Sequence, residues 1–220
     1  MNKKQITVVA IALVAAALFG IGAGLYQQRV NDQQALTANN NLALITRADA
    51  PTFGPTTAKV SIVEFFDPAC ETCRAFYPMV KSFVKDNPGR VKAVIRYAPL
   101  HAGSDQVVKA LEAARLQNLY WSALEALLER QHLWASHSNP DIGQIWPLMQ
   151  AVGVDIEQAK KDMINPEIDK MLQRDLRDLA TLNVTKTPTF FVNGKPLPTF
   201  GYEPLRKLVE QEIGLQYGQP

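Results

Sequence analysis

The two cysteines of this 220-residue chain stand three apart, as Cys70-Glu71-Thr72-Cys73. Two cysteines scattered at random in such a length fall at that separation about once in 110 chains, so the clustering is itself informative. The flanks say where the pair sits. Lys59 to Phe66 is short and rich in Val, Ile and Phe, and it ends in an Asp67-Pro68 break, which predicts a strand. A helix is predicted from near Cys70 to about Asp86, closed by Asn87-Pro88-Gly89. At such a strand-to-helix junction the first sulfur lies among unsatisfied N–H groups at the positive end of a helix dipole. Both favour thiolate, the species that attacks disulfides.

The rest of the chain continues the alternation. Arg90 to Tyr97 reads as a second strand. Ser104 to about Leu133 reads as one long helical stretch, with Val107, Val108, Leu111, Tyr120, Leu124, Leu127 and Leu128 near helical spacing. Shorter helices are predicted at Ile142–Ala151 and Ile156–Ile164. Asn165-Pro166 supplies an N-cap and an N1 proline for a helix to about Leu182. Thr189–Val192, the tight Asn193-Gly194 turn and Lys195–Leu197 form a hairpin, followed by a last helix over Glu203–Ile213. The fold class expected is α/β with an all-helical insertion at about residues 101–182.

Charge separates the body from its leader. Residues 1–50 hold four basic side chains (Lys3, Lys4, Arg29, Arg47) and two acidic ones (Asp32, Asp49). That leaves 19 of the 23 basic and 19 of the 21 acidic residues in the remaining 170. A formally neutral body argues against nucleic acid as a partner. Lys3 and Lys4 precede an uncharged run from Gln5 to Gln28. Ile6–Tyr26 approaches the ~20 residues that span a bilayer and exceeds the ~7–15-residue core of a cleaved signal. Its length favours an uncleaved membrane anchor, although Gly22-Ala23-Gly24 offers a cleavage site. The expected division is an anchor or signal at 1–28, a Gln/Asn-rich linker at 29–50 and a globular domain at 51–215. The lysines place the N-terminus in the cytoplasm and the body in an oxidising exported compartment.

Three chemistries can use the cysteine pair. The first is a redox dithiol, in which the second cysteine, one turn further in, closes a disulfide or expels a trapped partner. The second is zinc: His132 and His137 are suitably spaced, but 58 residues separate Cys73 from His132, where a finger has about 12–15. The third is a structural disulfide, which across so short a loop would restrain the unfolded chain little. Redox fits spacing and compartment best. Glu64 supports it, because period-2 alternation puts this carboxyl on the apolar strand face of Val60, Ile62 and Phe66, where its pKa rises and it can relay a proton.

The run Glu64-Phe65-Phe66-Asp67-Pro68-Ala69-Cys70-Glu71-Thr72-Cys73 resembles the active-site strand and helix of thioredoxin-fold proteins, especially the DsbA-like exported thiol-disulfide oxidoreductases. Their buried acid also lies six positions before the first cysteine, and their kinking proline is matched by Pro78. Thr185-Lys186-Thr187-Pro188-Thr189-Phe190-Phe191-Val192-Asn193-Gly194 resembles the cis-proline loop and hairpin. Gly54-Pro55, Ala58-Lys59-Val60 and Arg96-Tyr97-Ala98-Pro99-Leu100-His101 extend the likeness over most of Phe53–Ile213. The resemblance implies a thioredoxin-like fold, a cis Pro188, and a Thr187 main chain that pairs with an extended substrate strand. It implies Cys70, Cys73 and Glu64 as catalytic residues and exported cysteine-containing proteins as substrates. A membrane redox partner is implied too, and no metal or organic cofactor, since the dithiol carries two electrons.

The motif departs from the strongest oxidants of the family, which carry Pro-His between the cysteines. Here Glu71-Thr72 offers no cation, and Arg74 and Lys186 read as solvated surface charges. A Cys70 pKa below that of a free thiol but above the strongest oxidants is expected. His101 reads as a structural residue or cap, Asp67 as a turn residue, and Trp121, Trp134 and Trp146 as packing in the insertion. The function expected is a periplasmic thiol-disulfide oxidoreductase tethered to the inner membrane. Oxidase, isomerase and reductase share this machinery, so direction stays open. A membrane-tethered chaperone or binding module, or a Cu(I)-handling protein, is the alternative.

Overall fold

The computed structural model describes residues 19–26, 28–29, 42, 44–136 and 140–218. Most of the predicted leader and linker, and His137, lie outside them. Among the described residues no helix is long and apolar enough to cross a membrane.

Five strands form one sheet in the order β1-β3-β2-β4-β5: Thr52–Phe53 (β1), Val60–Phe66 (β2), Val91–Tyr97 (β3), Thr189–Val192 (β4) and Lys195–Pro196 (β5). β2 and β3 run parallel, in register from Val60↔Val91 to Phe66↔Tyr97. Parallel neighbours need a long crossover, and helix α1, Glu71–Asp86, supplies it. β1 joins β3, and β4 joins β2, in antiparallel fashion. Both faces of the sheet are covered, which is why β2 reads as a nearly continuous apolar run. On one face Phe76, Val80 and Val84 of α1, with Leu205 and Val209 of the C-terminal helix Tyr202–Tyr217, pack on Val60, Ile62, Val91, Phe190 and Val192. On the other, Val63, Phe65, Val94 and Phe191 meet Val184 and Ile45.

Ile45 belongs to the stretch read as a linker, yet its side chain is buried in the second core. A polar lock holds the same segment. Arg96 is fully buried on β3 and donates to Asp175 Oδ1 (2.7 and 3.0 Å), Asp178 Oδ2 (2.6 Å) and the Leu44 carbonyl (2.6 Å). Arg47 pairs with Asp178 from outside. A buried cation so fully bonded is tolerable, whereas losing one partner leaves the other charged and dry, at a cost of about 3–5 kcal/mol.

Between β3 and β4 the chain is helical: Ser104–Leu116 (α2), Tyr120–Glu129 (α3), Gln131–Trp134 (α4), Ile145–Ala151 (α5), Ile156–Asp162 (α6) and Pro166–Thr181 (α7), with a 3₁₀ turn at Ile142–Gln144. The C-terminal helix, α8, then follows the hairpin. This is the predicted α/β architecture with two corrections. The single helix expected over Ser104–Leu133 is three. Asn118 takes φ of 62°, and Gln117 exchanges two side-chain hydrogen bonds with the main chain of Asp155, which turns the chain before α3. The predicted last helix also runs on to Tyr217, where Tyr217 Oη accepts from the Lys59 N–H at 2.9 Å. Trp134 is buried and donates to the Leu127 carbonyl at 3.0 Å. Trp121 and Trp146 are partly buried on the same core, and Trp121 also meets Phe53 of β1 edge-on, with centroids 5.5 Å apart.

Candidate active site

The predicted strand-to-helix junction is where the site forms. Cys70 is the N-cap of α1, with φ −75° and ψ 118°, so the chain turns from extended to helical at the sulfur itself. In place of the usual oxygen-bearing cap, Cys70 Sγ accepts from the Cys73 N–H at 3.4 Å. The Cys70 thiol donates to the Thr187 carbonyl at 3.3 Å. Thr187 and Pro188 are joined by a cis peptide, as the resemblance implies. Both cysteines are free and buried; Cys70 is 5% exposed and Cys73 not at all.

The two thiols are driven in opposite directions. The hydrogen bond from Cys73 holds the Cys70 thiol down to about 5, against the opposing effect of burial, and the N–H groups of Cys73 and Thr72 add to it. The direction is that of a helix N-terminal thiol, downward from the ordinary 9.0. Glu71, Thr72, Arg74 and Lys186 are all exposed, so the thiolate owes its stability to main chain and Cys73 rather than to a cation. Cys73 moves far up. Burial is the main cause, followed by its bond to Cys70 and the negative charges of Glu64 and Cys70.

Glu64 lies 3% exposed on β2, paired with Ile95 on one side and Phe190 on the other. Burial pushes its carboxyl well above the usual range, and the charge on Cys70 pushes the same way; a bond with Cys73 opposes them. Its Oε1 has no hydrogen-bond partner among the described residues. It borders a small cavity of about 20 Å³ whose walls include Tyr77, Val80, Lys81 and Trp121. This is room for about one water. Cys70, Cys73, Glu64, Thr187 and Pro188 thus converge on one spot, although Cys70 and Thr187 lie 117 positions apart in the chain.

Asp67 does more than turn the chain. It is fully buried; Oδ1 accepts from the Ala69 N–H (2.9 Å) and Ser104 Oγ (2.5 Å), and Oδ2 from the N–H groups of Leu100 (2.7 Å) and His101 (2.9 Å). His101 Nδ1 lies 2.7 Å from Oδ2. The turn before Cys70 is thereby tied to the entry of the helical insertion. The Asp-Pro signal marks the turn, but nothing local marks its distant partners. Gln131 escapes sequence reasoning altogether: its Nε2 donates to the carbonyls of Pro68 (2.8 Å) and Cys70 (3.1 Å).

A sheet of this order, with a dithiol at the N-terminus of its crossover helix and a cis-proline facing it, defines a thioredoxin-like protein. The chain belongs to the thioredoxin family, whose sequence profile matches residues 46–211. It is similar to disulfide bond formation protein D of Bacillus subtilis (strain 168), at 26% identity over 180 residues, covering 74% of this chain and 77% of that one. It is also 29% identical over 147 residues to the Na(+)/H(+) antiporter NhaA of Herminiimonas arsenicoxydans. That match takes in 66% of this chain, which spans only 22% of the antiporter's length. Among solved structures, a thioredoxin-like oxidoreductase from Silicibacter pomeroyi DSS-3 superposes with a TM-score of 0.66 at 28% identity, covering 76% of this chain and 94% of the other.

Proposed function

We propose that this protein is a thiol-disulfide oxidoreductase that exchanges disulfides with exported cysteine-containing proteins. The observation that carries the reading is the placement of the pair: Cys70 Sγ caps the helix and accepts from the Cys73 N–H at 3.4 Å, while Cys73 is wholly buried one turn in and Glu64 lies buried on the adjoining strand. A nucleophile needs to be thiolate at working pH, and a resolving thiol needs to stay protonated until called on.

In the reducing direction the Cys70 thiolate attacks a substrate disulfide, forming a mixed disulfide and releasing one substrate thiolate. Glu64 takes the Cys73 proton, and the Cys73 sulfur attacks Cys70 Sγ. The second substrate thiolate leaves, and the Cys70–Cys73 disulfide remains. Two electrons have passed to the substrate. The oxidising direction is the reverse, with Glu64 returning the proton to Cys73. Thr187 offers its main chain to an extended substrate segment beside the nucleophile, and Pro188 fixes that loop. The basic residues and apolar run of the leader support a periplasmic body tethered to the inner membrane, with a membrane protein as its redox partner.

The test is turnover on a substrate with scrambled disulfides, and on its reduced form, with wild type and Cys70→Ser. Wild type is expected to reshuffle or oxidise the substrate, and the relative rates report direction. Cys70→Ser is expected to fall to the uncatalysed rate. Equal activity in the two proteins would overturn the reading.

A further inference from the structure

One uncharged side chain of the helical insertion bonds directly to the main chain of the redox turn. Gln131 opens α4, 61 residues from Cys70, and is 1% exposed. Its Nε2 donates to two carbonyls at once, Pro68 (2.8 Å) and Cys70 (3.1 Å). The Cys70 carbonyl also accepts the first bond of α1, from the Arg74 N–H at 3.1 Å, so Gln131 reinforces the opening turn of the helix whose cap is the nucleophile. The main chain that carries the amide is held in place, because Trp134 is buried three residues on and the Ala135 N–H donates to the Gln131 main-chain carbonyl at 2.9 Å.

Gln131 Oε1 has no hydrogen-bond partner among the described residues. A buried acceptor without a partner is unfavourable, and an apolar side chain would avoid it. The residue is therefore explained by its donors. Asp67 grips the same turn from its other end, through the Ala69 N–H and the 100–104 segment.

We propose that Gln131 is a positioning residue by which the helical insertion sets the redox poise of Cys70: by clamping the carbonyls of Pro68 and Cys70 it holds the opening turn of α1 in the geometry that brings the Cys73 N–H to the Cys70 sulfur. The proposal rests on the redox reading of the site. Without the clamp the Cys70 carbonyl keeps only the Arg74 N–H, and the Cys70–Glu71 peptide is held less firmly. The 3.4 Å approach of the Cys73 N–H to Cys70 Sγ loosens with it. A less stabilised thiolate makes the disulfide form relatively more favoured and the couple less oxidising.

The experiment uses the intact reduced protein and compares Gln131→Met with Trp134→Phe. Met keeps the length and loses both donors. Trp134→Phe deletes the hydrogen bond that ties the same short helix to the Leu127 carbonyl of α3 but leaves the clamp in place. Gln131→Asn retains the amide but falls a methylene short, and serves where Met disturbs folding. Thiolate absorbance at 240 nm gives the Cys70 titration, and equilibration with glutathione gives the potential. In the Gln131 variants we expect the thiolate titration to move to higher pH, its midpoint falling at a three- to tenfold lower proton concentration. The couple should become three- to tenfold more reducing, or about 15–30 mV. Trp134→Phe should move neither. Unchanged titration and potential in the Gln131 variants would overturn the proposal, as would equal shifts in Trp134→Phe, which would mean general loosening. Wild type failing to equilibrate with glutathione would instead overturn the redox reading beneath it.

Discussion

Replacing Cys73 with Ala is expected to trap substrates on the protein and abolish turnover. The mixed disulfide through Cys70 still forms, because the attacking sulfur remains a helix N-cap bonded by the backbone N–H of residue 73. Nothing is then placed to resolve it. The same substitution removes the thiol whose hydrogen bond is the largest cause of Cys70's low pKa, so Cys70 should titrate above its present value of about 5 yet below the ordinary 9.0. Non-reducing gels that show covalent adducts, together with a 240 nm titration of the variant, check both parts. A holdase would behave otherwise. It would keep its clients with both cysteines replaced, and Cys73→Ala would leave no adducts.

Glu64→Gln should separate the two halves of the exchange. Attack by Cys70 needs no proton acceptor and is expected to keep its rate. Resolution needs the proton removed from Cys73, whose thiol burial holds far above its ordinary range, and should slow about a hundredfold, at the low end of what a positioned base contributes. Stopped-flow measurement of the two phases distinguishes them; equal slowing of both would contradict the relay.

The same variant has a stability signature of definite sign. The folded protein binds the Glu64 proton more tightly than the unfolded chain does. Wild-type stability therefore declines as pH rises from about the ordinary value of 4.5 through the raised one. Gln has no proton to lose. Glu64→Gln should thus be the more stable protein at neutral pH, with the gap closing toward pH 4.5 in urea denaturation.

What the sequence made legible was whatever is encoded locally. The apolar run of β2, the Asp-Pro break and the cysteine pair place the nucleophile at the helix start, and alternation alone puts Glu64 on the buried face. Asn193-Gly194 marks its hairpin because both residues take positive φ, 48° and 82°, as such a two-residue turn requires. The cis Pro188 and its approach to Cys70 came only through family resemblance, since most X-Pro bonds are trans. Other features depend on partners far away in the chain. β1 is two residues long and exists only by pairing with β3. The break at Asn118 is fixed through Asp155, and continuous apolar spacing hid it. Arg96 reads as an ordinary strand-end cation until Asp175 and Asp178, about eighty residues on, surround it. Gln131 carries no local mark of its role at all.

The most direct measurement is the reduction potential of the Cys70–Cys73 couple, from equilibration of the whole protein against graded glutathione buffers. A Cys70 thiol held at about 5 by main chain and Cys73, with no cation between the cysteines, predicts one two-electron couple. Its potential should fall between about −270 and −120 mV, above a thioredoxin-like reductant and below the strongest oxidants. A value at or above about −120 mV would contradict the reading of Glu71-Thr72 as a weaker stabiliser of thiolate. A value below about −300 mV, that of an inert structural bridge, would contradict the assignment of the pair as a working dithiol.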